Sequence, residues 1–526
     1  MSPTRRQALA QLAALAALPL TRWPAAASDP LDGTIAELQA GRRRREWTAE
    51  EVARRALERC RADGARYRAI DALDERGALA AARESDRRLR NGRLVGPLDG
   101  VPVFAKAIYD VSGLPTTGSN AAWARLFPDP VHRDSLEVRR MRAAGAVVLG
   151  KTAADDFAYH GTGTSSFTGQ VLNPHDPTGT RIPGGSSAGS AVSVACGMAF
   201  TALGTDDGGS NRIPAQFTGI VGMKPTFGLV PRTGVIPTWP YLDTHGPLAR
   251  HVADAALLLA AIAGADASDP LALAAPWDGT PLAMLHEDAL AGVRVGLVES
   301  HVPRDQMSAE AIATWERAVR DLRAAGAIVD AFEPPVNRLT YADAFRAAAA
   351  ARNDVKPDPD SPAPTANALY GYFAGRTGDP RAAIRVGYAA YQKYYDVLPG
   401  TYEQCEPLFE QPMTEDPAGV SFARSRAAIV AQLAAAMRSA GVDAMVYPTM
   451  PYNAPHIGEK WPDVRTPLGF GNWLGLPEVS VPAGLGADGM PALNLSVVGL
   501  PGSDARVLAY AHGYERQSRR FVAPPR

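Results

Sequence analysis

The sequence is poor in cysteine and carries almost no net charge. Its 526 residues include three cysteines, Cys60, Cys196 and Cys405, which are odd in number and far apart. At most one disulfide is therefore possible, and none of the spacings matches a metal site. Lys+Arg 54 nearly balance Asp+Glu 55. The net charge of −1 therefore gives no general attraction to nucleic acid or to anionic lipid.

The N-terminal region has an apolar run that is too short to span a membrane. Residues Ala8 to Leu20 are rich in Ala and Leu, follow the twin arginine at 5–6 and precede three alanines at 25–27. A membrane-spanning helix needs about 20 apolar residues. A twin arginine, a short apolar segment and small residues at a cleavage site are typical of a twin-arginine export signal. We predict that residues 1–27 are removed and that the mature chain, which begins near Ser28, is periplasmic or secreted. An ordinary amphipathic N-terminal helix is the alternative.

The rest of the chain has the composition of a globular protein, with 46% hydrophobic and 21% charged residues. Apolar residues at helical spacing run from 34 to 89, and helix and strand patterns alternate after that. The strand-like segments include 101–105, 146–150, 293–298 and 443–448. This alternation predicts an α/β protein whose central sheet is covered by helices. Without internal repeats or a clear boundary, residues 28–526 are predicted to form one domain, with a mainly helical insertion at about 340–440.

Two blocks rich in glycine and serine concentrate the candidate chemistry. Residues 181–190 read RIPGGSSAGS, and residues 204–214 read GTDDGGSNRIP. Glycine permits backbone conformations that other residues avoid, so neighbouring N–H groups in the second block can converge on one point. An acyl-transfer enzyme uses such a nest to hold an oxyanion beside its nucleophile. A phosphate-binding loop or a plain tight turn is the alternative.

These blocks, together with GIVGMKPTFGLV at 219–230, closely resemble the sequence signature of the amidase signature family of serine hydrolases. The resemblance extends from about Ala36 to Glu515, and only the region from about 340 to 440 looks particular to this chain. It implies an α/β fold with a central mixed, twisted β-sheet covered by helices on both faces. It also implies hydrolysis of a small-molecule or peptide amide to carboxylate and amine or ammonia, through a seryl acyl-enzyme and without a metal or cofactor.

The resemblance further implies a set of three catalytic side chains. Ser210 would be the nucleophile, Ser186, entered through a cis peptide bond from Gly185, would be the bridge, and Lys106 would be the base. A lysine acts as a base only when it is uncharged, so burial must lower its usual pKa of about 10.4. The bridging hydroxyl can accept a proton from Ser210 while donating one to Lys106.

Other residues are expected to assist. The family's oxyanion hole corresponds to the backbone N–H groups of Asp207, Gly208 and Gly209. Ser187 is predicted to orient Ser186 or the nucleophile, whereas Asp206 and Arg212 are predicted to hold the loop by hydrogen bonds. Two positions depart from the family pattern. They are Ala107, where an acidic residue is common, and Asp207, where small or apolar residues are common. We expect the Asp207 side chain to disfavour anionic substrates.

Three other interpretations compete with an amidase. Residues 185–189 also fit the G-x-S-x-G elbow of α/β-hydrolases, centred on Ser187, for which His245, His251 or His512 would supply the base. That elbow requires a strand directly before it, and the residues before it look like a loop. The glutamine-hydrolysing component of a tRNA-dependent amidotransferase shares the signature but works in a cytoplasmic complex, so the predicted export signal argues against it. The third is a catalytically inactive binding protein on the same scaffold.

The substrate class stays open at this point. Aromatic residues of the region particular to this chain either line the acyl pocket or form ordinary helix core, and core packing is the simpler interpretation. They include Tyr370, Tyr372, Phe373, Tyr391 and Tyr394. We predict no nucleic-acid partner and no stable membrane insertion after removal of the signal, and we make no prediction of the oligomeric state.

Overall fold

The computed structural model describes residues 29–273 and 281–525. The predicted export signal at 1–27 and its cleavage site near Ser28 lie outside the described residues. The strands are β1 (Ile70–Leu73), β2 (Pro102–Lys106), β3 (Val147–Thr152), β4 (Thr164–Ser165), β5 (Gly169–Gln170), β6 (Thr201–Thr205), β7 (Val221–Lys224), β8 (His245–Ala249), β9 (Arg294–Leu297), β10 (Ile328–Ala331), β11 (Ala444–Pro448), β12 (Glu478–Pro482) and β13 (Asn494–Val498).

The α-helices lie before, between and after these strands. They are α1 (Ile35–Arg43), α2 (Ala49–Arg59), α3 (Ala65–Tyr67), α4 (Glu75–Arg90), α5 (Ala121–Leu126), α6 (Leu136–Ala143), α7 (Ala188–Ala195), α8 (Arg212–Phe217), α9 (Val252–Ile262), α10 (Pro281–Met284), α11 (Ala309–Ala324), α12 (Tyr341–Ala350), α13 (Pro362–Ala374), α14 (Pro380–Gln392), α15 (Tyr402–Cys405), α16 (Pro417–Ala440), α17 (Phe470–Leu474) and α18 (Asp504–Ser518).

One large sheet organises the fold. Its eleven strands run in the order β1-β3-β2-β6-β8-β7-β12-β13-β11-β9-β10. Strand β2 is parallel to β3 and β6, and β9 is parallel to β10 and β11. The other neighbours are antiparallel. This architecture confirms the predicted α/β class with a central mixed sheet flanked by helices.

The central strands are apolar because helices cover both of their faces. Every residue of β2, β3, β6 and β11 is buried, which is the pattern of strands enclosed on two sides. Helix α7 consists of small buried residues and packs on β6 and β8, and the apolar helix α9 packs on β7 and β8. Among the described residues, no helix is both long and apolar enough to cross a bilayer.

Strand direction places the ends of three strands at one edge of the sheet. Strands β2 and β6 are parallel neighbours, with Val103 opposite Thr201 and Phe104 opposite Ala202. Strand β3 runs parallel to β2 on its other side. The carboxyl ends of parallel strands meet at the same edge, where α/β proteins commonly bind ligands. Lys106, the last residue of β2, therefore emerges beside the loop that follows β6.

The helices between β10 and β11 pack on the body of the fold through aromatic side chains. The hydroxyl of Tyr391 donates to the carbonyl of Pro237 at 2.7 Å, and that of Tyr395 donates to the carbonyl of Phe157 at 2.9 Å. The aromatic residues in question, Tyr370, Tyr372, Phe373, Tyr391 and Tyr394, all belong to the main apolar core or pack against it. They are core residues, as the simpler interpretation holds.

The central strand β2 provides a stability test. Phe104 is fully buried in β2, so Phe104→Ala should lower the free energy of unfolding by about 3–5 kcal/mol through lost contacts and a cavity. The exposed Leu339 is the matched control, and Leu339→Ala should change it by less than about 0.5 kcal/mol. Denaturant unfolding followed by circular dichroism measures both. Equal effects of the two variants would contradict this description of the core.

Candidate active site

Lys106 is enclosed at the carboxyl end of β2. Its side chain is fully buried, and Nζ lies 2.7 Å from Oγ of Ser186 and 2.8 Å from Oγ1 of Thr205. Burial lowers the pKa of Lys106 to about 8, although the carboxyl groups of Asp207 and Asp155 oppose the shift. With this pKa, about a tenth of the amine is uncharged at pH 7, far more than for a solvent-exposed lysine, and an uncharged amine can accept a proton.

The cis peptide bond expected before Ser186 is present between Gly185 and Ser186. Gly185 lies against the carboxylate of Asp155, which accepts the backbone N–H groups of Gly163 and Thr164. A Cβ atom at position 185 would lie 2.1 Å from Oδ2 of Asp155, so only glycine fits there. This close approach holds Ser186 over the amine of Lys106.

Ser210 lies next to these residues but is not hydrogen-bonded to them through its hydroxyl. The backbone N–H of Ser187 donates to the carbonyl of Ser210 at 3.2 Å, which holds the nucleophile loop beside the cis serine. Ser210 is 9% exposed. Within the described residues, no hydrogen bond joins its hydroxyl to that of Ser186. Catalytic hydrogen bonds often tighten only when substrate binds.

The predicted oxyanion hole needs a correction at one of its three positions. The N–H of Gly209 donates to Oδ1 of Asp206 at 2.7 Å, because an aspartate carboxylate readily accepts a backbone N–H two or three residues later. That donor is therefore already engaged. For the N–H groups of Asp207 and Gly208, the described part of the chain provides no acceptor, so these two remain available to a ligand.

A buried ionic network holds the loop that carries Ser210. The guanidinium of Arg212 makes two hydrogen bonds of 2.9 Å to the carboxylate of Asp206 and one of 2.8 Å to Glu478. Asn472 donates to Asp206 as well. Burial alone would raise the pKa of Asp206, but the charge of Arg212 holds it well below its usual range. These contacts are those predicted for Asp206 and Arg212.

The α/β-hydrolase interpretation is wrong. Ser187 is fully buried, and its hydroxyl bonds to the backbone of Thr205 and to Asn211. No strand directly precedes it in the described structure. His245 instead contacts Glu137, with 2.6 Å between Nδ1 and Oε1. Ser187 thus binds the end of β6 at Thr205, and its hydroxyl contacts no histidine among the described residues.

An apolar surface lies beside the nucleophile loop. We define it by Ile213, Phe217, Trp461 and Leu468. A Cβ atom on Gly209 would lie 2.9 Å from both Ile213 and Leu468. The rings of Phe217 and Trp461 stack with their centroids 6.2 Å apart, and Trp461 is 37% exposed. Ile213 and Phe217 are buried, so Leu468 and Trp461 are the members of this set that are open to solvent.

The side chain of Asp207 does not face solvent. Its residue is 4% exposed, and its carboxyl group turns inward toward Asp243 and Lys106. The expectation that it disfavours anionic substrates is therefore unsupported. The other departure, Ala107, is buried and donates its N–H to the carbonyl of Thr152. Asp110 is bonded to Thr116 and Tyr372.

The sequence pattern did not single out Thr205, Asp155 or Asp243. Thr205 ends β6, and Asp155 follows β3 by three residues, so a position at the carboxyl end of a parallel strand was the available signal. For Asp243, no short-range pattern exists. In the described residues, no group of three or more His, Cys, Asp or Glu side chains is arranged to hold a metal ion.

The chain is similar to a family model and to proteins of known name along most of its length. Residues 51–392 match the family model described as Amidase. The A subunit of the glutamyl-tRNA(Gln) amidotransferase of Anaeromyxobacter sp. (strain K) is 34% identical over 516 residues, covering 93% of this chain and 97% of that protein. Its counterpart in Myxococcus xanthus (strain DK1622) is 35% identical over 506 residues, covering 92% and 97%.

Solved structures also match along nearly the whole chain. The native peptide amidase from Stenotrophomonas maltophilia superimposes with a TM-score of 0.77 at 32% identity, covering 94% of this chain and 98% of that one. An amidase family protein from Bacillus anthracis str. Ames gives a TM-score of 0.74 at 25% identity, with coverage of 94% and 93%.

The contact between Gly185 and Asp155 provides a test of the site's geometry. Gly185→Ala would place a methyl group 2.1 Å from the Asp155 carboxylate, and we expect about 1–3 kcal/mol of destabilisation from overpacking. Gly208→Ala is the matched control, because a Cβ atom at position 208 would have nothing within 4 Å. Thermal unfolding of both variants measures the difference. A Gly185→Ala variant as stable as Gly208→Ala would contradict the close approach.

Proposed function

This chain belongs to the amidase signature family, and we propose that it hydrolyses carboxylic amides. In this proposal Ser210 is the nucleophile, Ser186 is the bridge and Lys106 is the base. Membership makes it an amide-hydrolysing enzyme. The observation that carries the assignment of roles is the 2.7 Å contact between a buried amine and the hydroxyl of Ser186. It joins a base of lowered pKa to a group that can relay a proton.

The reaction that we propose has two halves. Ser210 Oγ attacks the amide carbonyl, and its proton passes through Ser186 to Lys106. The resulting oxyanion lies on the N–H groups of Asp207 and Gly208. When the C–N bond breaks, the proton returns through Ser186 to the leaving amine. Water then attacks the acyl-enzyme by the same relay, which releases the carboxylate and restores Ser210.

The apolar surface favours an apolar or aromatic acyl group. Ile213 and Leu468 flank Gly209, one residue before the nucleophile, and the exposed Trp461 ring extends the surface outward. Aromatic and aliphatic contacts of this kind favour substrates that bury carbon. A substrate with a charged ammonium group and a carboxylate on its acyl side, such as glutamine, would lose the hydration of these groups at this surface without gaining hydrogen-bond or ion-pair partners. We therefore propose amides of apolar acids, including peptide amides, as the substrates.

A second candidate is the glutamine-hydrolysing component of a tRNA-dependent amidotransferase. It is favoured by the amidotransferase relatives, which are 34–35% identical over more than nine-tenths of this chain. Such a glutaminase would require glutamine as substrate and partner proteins in the cytoplasm. We separately propose that the chain is exported by the twin-arginine route and acts as a periplasmic or secreted protein without nucleic acid. This proposal argues against the amidotransferase candidate.

Alanine substitutions test the proposed roles. Ser210→Ala, Ser186→Ala and Lys106→Ala should each lower kcat by at least about 10³-fold, because they remove the nucleophile, the relay or the base. Ser193→Ala is the control, since Ser193 is a buried serine of α7 whose hydroxyl donates to the carbonyl of Ser190. Release of amine or ammonia from an amide measures activity. Retained turnover in Ser210→Ala would refute the assignment of Ser210 as nucleophile. If the protein were an inactive binding protein, the parent chain itself would show no turnover.

A substrate panel separates the two candidates. We expect the mature protein to release ammonia from amidated apolar peptides and aryl amides at least about ten times faster, in kcat/KM, than from glutamine. Trp461→Ala should raise KM for an aromatic acyl amide about tenfold through the lost ring contact. Val386→Ala, which alters an exposed residue of α14, is the control. A preference for glutamine would favour the amidotransferase candidate instead.

A further inference from the structure

The carboxyl groups of Asp207 and Asp243 lie close to each other, near the proposed base Lys106. In the antiparallel pair of β6 and β8, Thr205 is opposite His245, and the N–H of Asp206 donates to the carbonyl of Thr244 at 2.7 Å. Asp207 and Asp243 are the next residues along the two chain segments beyond this hydrogen bond. Just beyond the end of β6, the side chain of Asp206 binds Arg212, whereas the carboxyl group of Asp207 lies near Asp243 and Lys106.

Among the described residues, no donor reaches the carboxyl group of Asp207. Both of its oxygens are buried and lack a hydrogen-bond partner, and the group within hydrogen-bonding reach is the carboxyl group of Asp243. Asp243 already accepts the backbone N–H groups of Thr238 at 3.1 Å and Trp239 at 2.9 Å. Two directly opposed carboxylates repel each other, whereas a proton between them makes a hydrogen bond.

The other titratable groups that face this pair do not supply that hydrogen bond. The phenol of Tyr109 donates to Gly204, and those of Tyr391 and Tyr395 donate to Pro237 and Phe157. Arg232 binds Asp269, and Asp206 binds Arg212. Lys106 donates to its two hydroxyl partners. The facing groups are Lys106, Tyr109, Asp206, Arg232, Tyr391 and Tyr395.

We propose that Asp207 and Asp243 hold one proton between them and that this proton keeps the amine of Lys106 able to act as a base. With the proton in place, Asp207 is neutral and the pair carries one negative charge, held by the two N–H groups on Asp243. Without it, a second anion beside Lys106 would favour the charged amine. Burial and the carboxyl group of Asp243 raise the pKa of Asp207 well above its usual range, in agreement with this arrangement. Asp207 is thus a positioning residue that acts through Lys106, and the proposal rests on the role proposed for Lys106.

The pH profile of kcat/KM tests the effect on Lys106. Asp207→Asn replaces a neutral acid by a neutral amide, so the acid limb of the profile should shift by less than about 0.3 pH unit. If Asp207 were ionised, its removal would lower that limb by about one unit or more, and this outcome would overturn the proposal. Asp207→Thr, which also carries no charge, is the second variant if the amide does not fold.

Infrared difference spectroscopy tests the proton without relying on activity. At pH 7, the spectrum of the parent chain minus that of Asp207→Asn should contain the C=O band of a protonated carboxyl group. The matched control is Asp254→Asn. Asp254 is a buried carboxyl group with one unpartnered oxygen, and burial raises its pKa to about 6, so at pH 7 its removal should mainly remove carboxylate bands. Loss of carboxylate bands in Asp207→Asn would overturn the proposal. Because this readout is independent of turnover, it stays valid even if the alanine variants disprove the role of Lys106.

Discussion

The burial of one amine, that of Lys106, is the constraint on which the rest of the site depends. An ammonium group loses its hydration in the interior, so enclosure at the end of β2 favours the neutral form that can take a proton. The sheet produces this enclosure: β3 and β6 flank β2 on both sides, and Ser186 and Thr205 cover the amine. A surface lysine at the same distance from a serine would stay charged and could not serve as a base.

Burial alone does not single out this lysine. Lys151 and Lys224 are also fully buried, and burial lowers their pKa values to about 8 and about 7. Their amines donate to the carbonyls of Pro115 and Pro225, and a carbonyl oxygen has no proton to give. Lys106 contacts hydroxyl groups, which both accept and donate. Lys106 therefore differs from these two lysines in its partner groups and not in having a lowered pKa.

Local patterns of apolar residues predicted the sheet class, and the resemblance to the amidase signature family pointed to Lys106 and Ser186, which meet at the edge of the sheet. Sequence-based prediction failed where the deciding contact is formed by packing. The capture of the Gly209 N–H by Asp206 depends on the loop conformation, and the hydroxyl of Ser210 has no bond to Ser186 in the described structure. Thr205 was missed because threonine in a strand usually reflects only β-propensity. Asp243 was missed because it lies far along the chain from the two glycine-serine blocks and reaches the site only through the pairing of β6 with β8.

The neighbouring aspartates at 206 and 207 show why residue type alone does not fix chemistry. They are chemically identical and adjacent, yet their side chains meet different partners just beyond the end of β6. Asp206 meets the guanidinium of Arg212 and is held ionised. Asp207 meets another carboxyl group and has no donor among the described residues, so the neutral acid is the form that its surroundings favour. Asp206 thereby anchors the loop that carries Ser210, while a neutral Asp207 avoids placing a second anion beside the proposed base.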